Sequence, residues 1–436
     1  MNTVQRIAKN TSVSVIMYRL IQKLKDPLYK NSMFLMLSTF VGSALGFVYW
    51  IVAARLYSVE AVGIATALIS AMNLIAALSK LGFDIGLVKF LPNGDRKIDM
   101  INSCLTITFV SSIVFSTIFV LGTEVWSPAL GFLKKNAALF ALFVVFVTVT
   151  AMIQTQYNVF VAFRKAEFSF AQNTTWFVLK LIFIVFLTSF GAFGIFISWG
   201  AAVFFGLLLS LFFLTPKVCS GYLPIPSVEK RIVRNMFYFS FGNYIASIFS
   251  IAPQMLLPLL IVNVLGAEMT AYFFIAWSIS NILFIISNAV SMSLFAEGSY
   301  NQNKLRKDTI KAIKFTFLLL IPAIIGVVLF SDKLLLLFGK AYSENAVDLL
   351  RILAVSSILV AVNTLYVGVK RVQMDIKTIT FIYVFIMGFT IVVSYALITK
   401  IGLIGVGIGW MLGHGIIFTI INTSLMKNYI TMIGDV

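Results

Sequence analysis

The sequence predicts an all-α integral membrane protein of about twelve transmembrane helices, arranged as two pseudo-symmetric six-helix bundles around a central cavity. Three observations carry that prediction. Of 436 residues, 60% are hydrophobic and 11% charged, whereas a soluble domain carries about 25% charged residues. Apolar runs long enough to cross roughly 30 Å of hydrocarbon as helices recur along the whole chain. A short pattern also returns about 208 residues after its first appearance.

Taken in chain order, residues 1–30 read as a basic segment lying on the cytoplasmic membrane surface. Val13, Ile16, Met17, Leu20, Ile21 and Leu24 share one helical face while Arg19, Lys23 and Lys25 take the other, a pattern suited to anionic lipid. The first run long enough to insert begins near Asn31 with no small-residue cleavage site after it, so the first span serves as its own targeting signal. An N-terminal bundle, 31–215, contains spans near 31–56, 61–88, 100–122, 136–163, 169–190 and 192–215. Residues 216–232, with Pro216, Pro224 and Pro226, form a cytoplasmic linker. A C-terminal bundle, 233–426, contains spans near 233–264, 269–297, 309–330, 346–369, 377–399 and 402–426, and 427–436 is a cytoplasmic tail.

Lysine and arginine set orientation. Both termini and alternate loops together hold 24 basic residues. The opposite side holds six, Arg55, Lys134, Lys135, Lys333, Lys340 and Lys400. The positive-inside rule then places both termini in the cytoplasm, which requires an even number of spans. The same distribution explains the net charge of +17 without nucleic acid, because the basic residues sit between apolar runs and form no continuous patch.

The repeat is short but ordered. Leu56-Tyr-Ser-Val-Glu60-Ala-Val-Gly63 follows the first span and Val264-Leu-Gly-Ala-Glu268-Met-Thr-Ala271 follows the seventh. Gln154-Thr-Gln-Tyr157 in span four matches Asn363-Thr-Leu-Tyr366 in span ten, each followed by a basic pair, Arg164-Lys165 and Lys370-Arg371. Six spans per half make the halves parallel repeats, an architecture that sets a substrate site between them.

Three runs carry a family resemblance: Ala54-Arg55-Leu56 through Gly63, Leu81-Gly82-Phe83-Asp84 through Phe90-Leu91-Pro92, and Leu337-Phe338-Gly339-Lys340-Ala341-Tyr342 through Leu349-Leu350-Arg351-Ile352-Leu353. They resemble the polysaccharide-biosynthesis, or O-antigen flippase, family of the multidrug/oligosaccharidyl-lipid/polysaccharide exporter superfamily. The resemblance implies two bundles around a V-shaped cavity that opens alternately to each side of a cell membrane. It also implies a lipid-diphosphate-linked oligosaccharide or polysaccharide repeat unit as the substrate, flipped from the cytoplasmic to the outer leaflet, with glycan polymerases or glycosyltransferases as possible partners.

A diphosphate cannot cross hydrocarbon unpaired, so cations and hydrogen-bond donors at membrane depth are the candidates for its route. Lys180 stands near the middle of span five with Asn173 on the same face; the alternative is a structural lysine. Arg55 closes span one and matches the arginine of the family's motif, as phosphate ligand or interfacial anchor. Gln154 and Asn158 share a face of span four, suited to sugar hydroxyls or to helix contacts. Gln254 lies in span seven between Pro253 and Pro258, each of which removes a backbone donor and favours a bend, a candidate hinge. Lys80 and Asp84, four apart in span two, form a structural pair, or else a gate or ion-coupling site. His414, the only histidine, is a buried structural residue or a proton-coupling one.

The glycines Gly42 with Gly46, and Gly405, Gly409 and Gly413, recur every four residues and allow close helix approach. Neither cofactor nor metal is implied: Cys104 and Cys219 lie apart without ligand spacing, and no nucleotide loop is present. An enzyme is disfavoured by short outer loops without histidine. A cation-coupled multidrug antiporter of the same superfamily remains the alternative, and would require acids deep in the cavity.

Overall fold

A computed structural model of the chain describes residues 27–300 and 302–434; the expected interfacial face from Val13 to Lys25 lies outside the described residues. Among the described residues, twelve helices are long and apolar enough to span a membrane. They are α1 (Pro27–Leu56), α2 (Val59–Ser79), α3 (Lys97–Leu121), α4 (Ala137–Ala162), α5 (Ala166–Phe186), α6 (Ala192–Val218), α7 (Lys230–Val264), α8 (Ala267–Tyr300), α9 (Leu305–Leu329), α10 (Val347–Val372), α11 (Ile376–Ile401) and α12 (Leu403–Gly434). Lipid offers no partner for a backbone amide, so helices that bond within themselves are how this chain crosses.

Span two departs from expectation. The continuous helix expected over 61–88 stops at Ser79 and resumes as a short helix, Phe83–Phe90. Leu81 and Gly82 turn left-handed, at φ 49° and 82°, a conformation that glycine adopts without a Cβ penalty. The turn lets Ser240 and Tyr244 of α7 approach closely, at 3.1 and 3.0 Å from where a Gly82 Cβ would stand.

Packing repeats between the first and last six helices. The pairs α1 with α5, α2 with α4, α3 with α4, α4 with α6 and α5 with α6 recur as α7 with α11, α8 with α10, α9 with α10, α10 with α12 and α11 with α12. The turns repeat too: Arg164 after α4 and Met374 after α10 both take φ 56°, and Gly191 and Gly402 open α6 and α12 at φ 54° and 61°. The repeat read in the sequence is thus also a repeat of backbone geometry.

Small residues set the helix distances. Gly405, Gly409 and Gly413 of α12 meet Leu397, Ser394 and Thr390 of α11, the close approach that a small residue every fourth position permits. Gly42 and Gly46 of α1 lie against the ring of Phe177 on α5. The tightest contact joins the halves, for a Cβ at Gly63 of α2 would lie 1.8 Å from the carbonyl oxygen of Ala267 at the start of α8.

Candidate functional site

A cavity of about 380 Å³ lies within the first half, walled by α2, α4, α5 and α6. Its lining is mostly amide and aromatic: Asn73, Gln154, Asn158, Gln172, Asn173 and the rings of Tyr157, Trp176 and Trp199. Lys80 and Thr150 complete the polar wall. Among these lining residues none is acidic.

Local bonds hold the wall in place. Asn173 donates to Ser38 Oγ on α1 at 3.0 Å and accepts from the indole nitrogen of Trp176 at 3.2 Å. Gln172 donates to the Ile153 carbonyl and accepts from Ser210, both at 3.0 Å. Asn73 donates to the Ile69 carbonyl at 2.9 Å. Each side-chain amide has more donors and acceptors than these bonds use, and the surplus is available to a hydroxylated ligand.

Of the residues expected from sequence, Gln154, Asn158, Asn173 and Lys80 come together in this wall. Lys80 pairs with Asp84 at 2.8 Å across the left-handed turn, so the pair forms although the helix between them is interrupted. Lys180 stands behind the wall. It is fully buried, its Nζ has no hydrogen-bond partner, and four rings surround it: Trp199 at 4.0 Å, Phe177 at 4.2 Å, Tyr49 at 4.6 Å and Trp176 at 4.8 Å from ring centroids. Trp176 and Trp199 thus face the cavity and the lysine at once. Cation–π contacts contribute about 0.5–2 kcal/mol per ring, which offsets part of the several kcal/mol lost on dehydrating an ammonium.

Gln254 lies elsewhere, on α7. Asn243, Ser247, Ser250 and Gln254 recur at helical spacing, the last three exposed, and a polar stripe at membrane depth belongs against water or protein because hydrocarbon cannot satisfy it. Pro253 and Pro258 are buried within α7, which stays helical from Lys230 to Val264.

Arg55 is placed far from the cavity, at the opposite end of the molecule from the basic loops. Its guanidinium donates to the carbonyls of Leu336 and Leu337 at 2.6 and 2.9 Å, capping the short helix Ser331–Leu336 of the second half, where a cation also meets the helix dipole favourably. Asn263, the residue 208 positions later, reaches the other way. It accepts from the amide of Ala129 at 3.0 Å and donates to Ser127 Oγ at 3.1 Å. Ala129 in turn precedes Leu337 by the same 208 residues, so the two halves exchange equivalent latches, with Gly63 against Ala267 beside them.

His414 is buried in the second half. Asn363 Nδ2 lies 3.1 Å from its Nδ1 and 2.9 Å from its carbonyl oxygen. The carbonyl can only accept, which fixes the amide's orientation and makes Nδ1 an acceptor, so the imidazole carries its hydrogen on Nε2. Trp410 packs on the ring at 4.3 Å.

Sequence reasoning missed Asn73, Tyr157, Gln172, Trp176 and Trp199 as wall residues, and Asn263 as a latch. The polar spacing 150, 154, 157, 158 was a usable signal for α4. Nothing in the sequence distinguishes the tryptophans that line the cavity from those that fill the core.

The fold is shared with transporters of the MOP superfamily. It resembles an inward-facing multidrug resistance MATE family transporter at 15% identity, covering 90% of this chain and 96% of that one with a TM-score of 0.67. It resembles the lipid II flippase MurJ in an inward closed conformation at 14% identity, covering 90% and 87% with a TM-score of 0.68. A MOP superfamily transporter from Pyrococcus furiosus, reported with reversed polarity of its binding pocket, matches at 16% identity over 93% and 96% with a TM-score of 0.62. No curated protein matches in sequence. The model of the polysaccharide biosynthesis protein family matches residues 52–346, more than half of the chain, and the chain belongs to that family. Family and fold together make it a multi-pass membrane protein of a polysaccharide-biosynthesis family, built on the fold those transporters share.

Proposed function

We propose that the chain moves a lipid-diphosphate-linked oligosaccharide or polysaccharide repeat unit across a cell membrane by alternating access, without making or breaking a bond in it. The observation that carries this reading is the acid-free cavity of amides and aromatic rings at membrane depth in a member of a polysaccharide-biosynthesis family. Side-chain amides match sugar hydroxyls and flat rings match the apolar faces of sugars. A drug-cation antiporter would be expected to carry a carboxylate there instead. Asp84, the acid beside the cavity, is neutralised by Lys80.

With the basic loops on the cytoplasmic side, as the positive-inside rule requires, the Arg55 and Asn263 latches close the outer end. This form is then the one that receives cargo from within. Opening outward breaks both latches and separates Gly63 from Ala267, and the Pro253–Pro258 stretch of α7 supplies the bend. The potential drives the step: two negative charges moving outward through 100 mV, inside negative, gain about 4–5 kcal/mol. Glycosyltransferases or polymerases would supply and consume the cargo on the two sides.

Proteoliposomes carrying the purified chain and a fluorescent polyprenyl-diphosphate oligosaccharide test this. A membrane-impermeant quencher should reach the inner-leaflet half of the label only when the chain is present, and faster with a potential imposed. Quenching that halts at the outer leaflet in both preparations would exclude the function.

A further inference from the structure

Lys180 is the buried cation that nothing in the helix packing explains. All three of its donors are unused, and a methionine would fill the same ring-lined space without dehydrating a charge. The four rings differ in what ties them. Tyr49 is tied by its hydroxyl to the Ile195 carbonyl and Ser198, and Phe177 is wedged against Gly42. Trp176 and Trp199, the two rings shared with the cavity, form the thin side of the cage. Trp176 stacks on Phe177 at 4.0 Å and makes one hydrogen bond, to Asn173, which itself lines the cavity.

From this arrangement we infer that Lys180 is a sheathed anion-binding residue, uncovered when a cavity ligand takes over the hydrogen bond between Asn173 and Trp176. A sugar hydroxyl that takes the indole's own place on Asn173 Oδ1 frees Trp176; the two tryptophans swing aside, and the ammonium reaches a phosphate in the cavity. The saccharide thus unlocks the site for its own diphosphate, so that bulk anions meet only a neutral wall. Lys80 does not provide the same service, because Asp84 already holds it. The inference rests on the export reading above and names the group that would grip the headgroup.

The test uses the full-length chain in nanodiscs and a sugar-free polyprenyl diphosphate as probe. Trp199→Leu, which thins the sheath, should raise affinity for the probe by about tenfold, the scale of one charge-assisted hydrogen bond. Lys180→Met should keep the melting temperature, and the Trp199→Leu/Lys180→Met double variant should show no gain. A gain that survives in the double variant overturns the inference, as does unchanged binding of a polyprenyl-diphosphate oligosaccharide by Lys180→Met; either leaves the export reading intact. Failure of every folded variant and of the natural chain to bind either diphosphate overturns both. Should Lys180→Met not fold, acetylation of Lys180 followed by peptide mass spectrometry decides instead. Trp199→Leu should accelerate it and the probe should suppress that acceleration, whereas a rate unaffected by the probe overturns the inference.

Discussion

The two halves share helix contacts and turn angles but not what they enclose. Where α4 presents Gln154 and Asn158 to a cavity, α10 has Asn363 buried on His414 and Val367 packed in the core. Where α5 carries Asn173 and Lys180, the same stretch of α11 carries Phe381, Phe385 and Phe389, with Phe385 stacked on Phe389 at 5.6 Å. Where α2 breaks at Gly82 and brings Lys80 to the cavity, α8 runs unbroken to Tyr300. A duplicated scaffold keeps the residues that set helix distance, because both copies must pack. Its cavity-facing positions carry no such constraint: α4 presents amides to a cavity, whereas Asn363 and Val367 of α10 are buried against other side chains.

The sharpest way to break that comparison is at Gly63 and Ala267, where the halves approach backbone to backbone. Gly63→Ala should destabilise the outer seal by about 1–3 kcal/mol, the usual cost of overpacking, and an impermeant thiol reagent should then reach a cysteine introduced at Phe338, which is buried in the sealed form. The repeat-related change Ala271→Gly should cost only the helix penalty of about 0.5–1 kcal/mol; equal effects would show that the seal is symmetric. Next come the polar positions of α4 and α10. Asn363→Leu leaves the buried Nδ1 of His414 without its donor, worth about 1–3 kcal/mol, and should lower the melting temperature. Gln154→Leu should leave melting unchanged and lower export in the vesicle assay.

The latches rank third. Arg55→Ala should shift the chain toward its outward-open form by about 1 kcal/mol, since the arginine is exposed and partly screened, and Asn263→Ala by somewhat less. Hydrogen exchange at Leu336 and Ala129 would separate them. The smallest effect concerns Asp375, which caps α11 through the hydroxyl and amide of Thr378 and meets Lys370 at 3.1 Å. These partners hold its carboxyl below the usual carboxylate range. Its contribution is therefore present above about pH 4 and is lost as pH falls through the lowered value. Asp375→Asn should flatten that acid limb in a melting series; in α5 the corresponding cap comes from Asn31 of α1, which carries no charge to titrate.

Twelve spans, their repeat and the family were legible in the chain because hydrocarbon imposes the same demand on every segment, and a run of apolar residues announces itself without a partner. The faces of α4 and the glycine ridge of α12 were legible for a related reason: helical spacing alone decides which side chains share a side. Tertiary packing decided the rest. Lys180 looks like a cavity cation in sequence, and only the convergence of α1, α5 and α6 puts four rings around it. Arg55 reads in sequence as a phosphate ligand or an interfacial anchor, and only the fold brings the carbonyls of Leu336 and Leu337, some 280 residues away, within its reach. Periodicity fixes where a side chain stands on its own helix; what it meets depends on which helix arrives from elsewhere, and that information is spread over the whole chain.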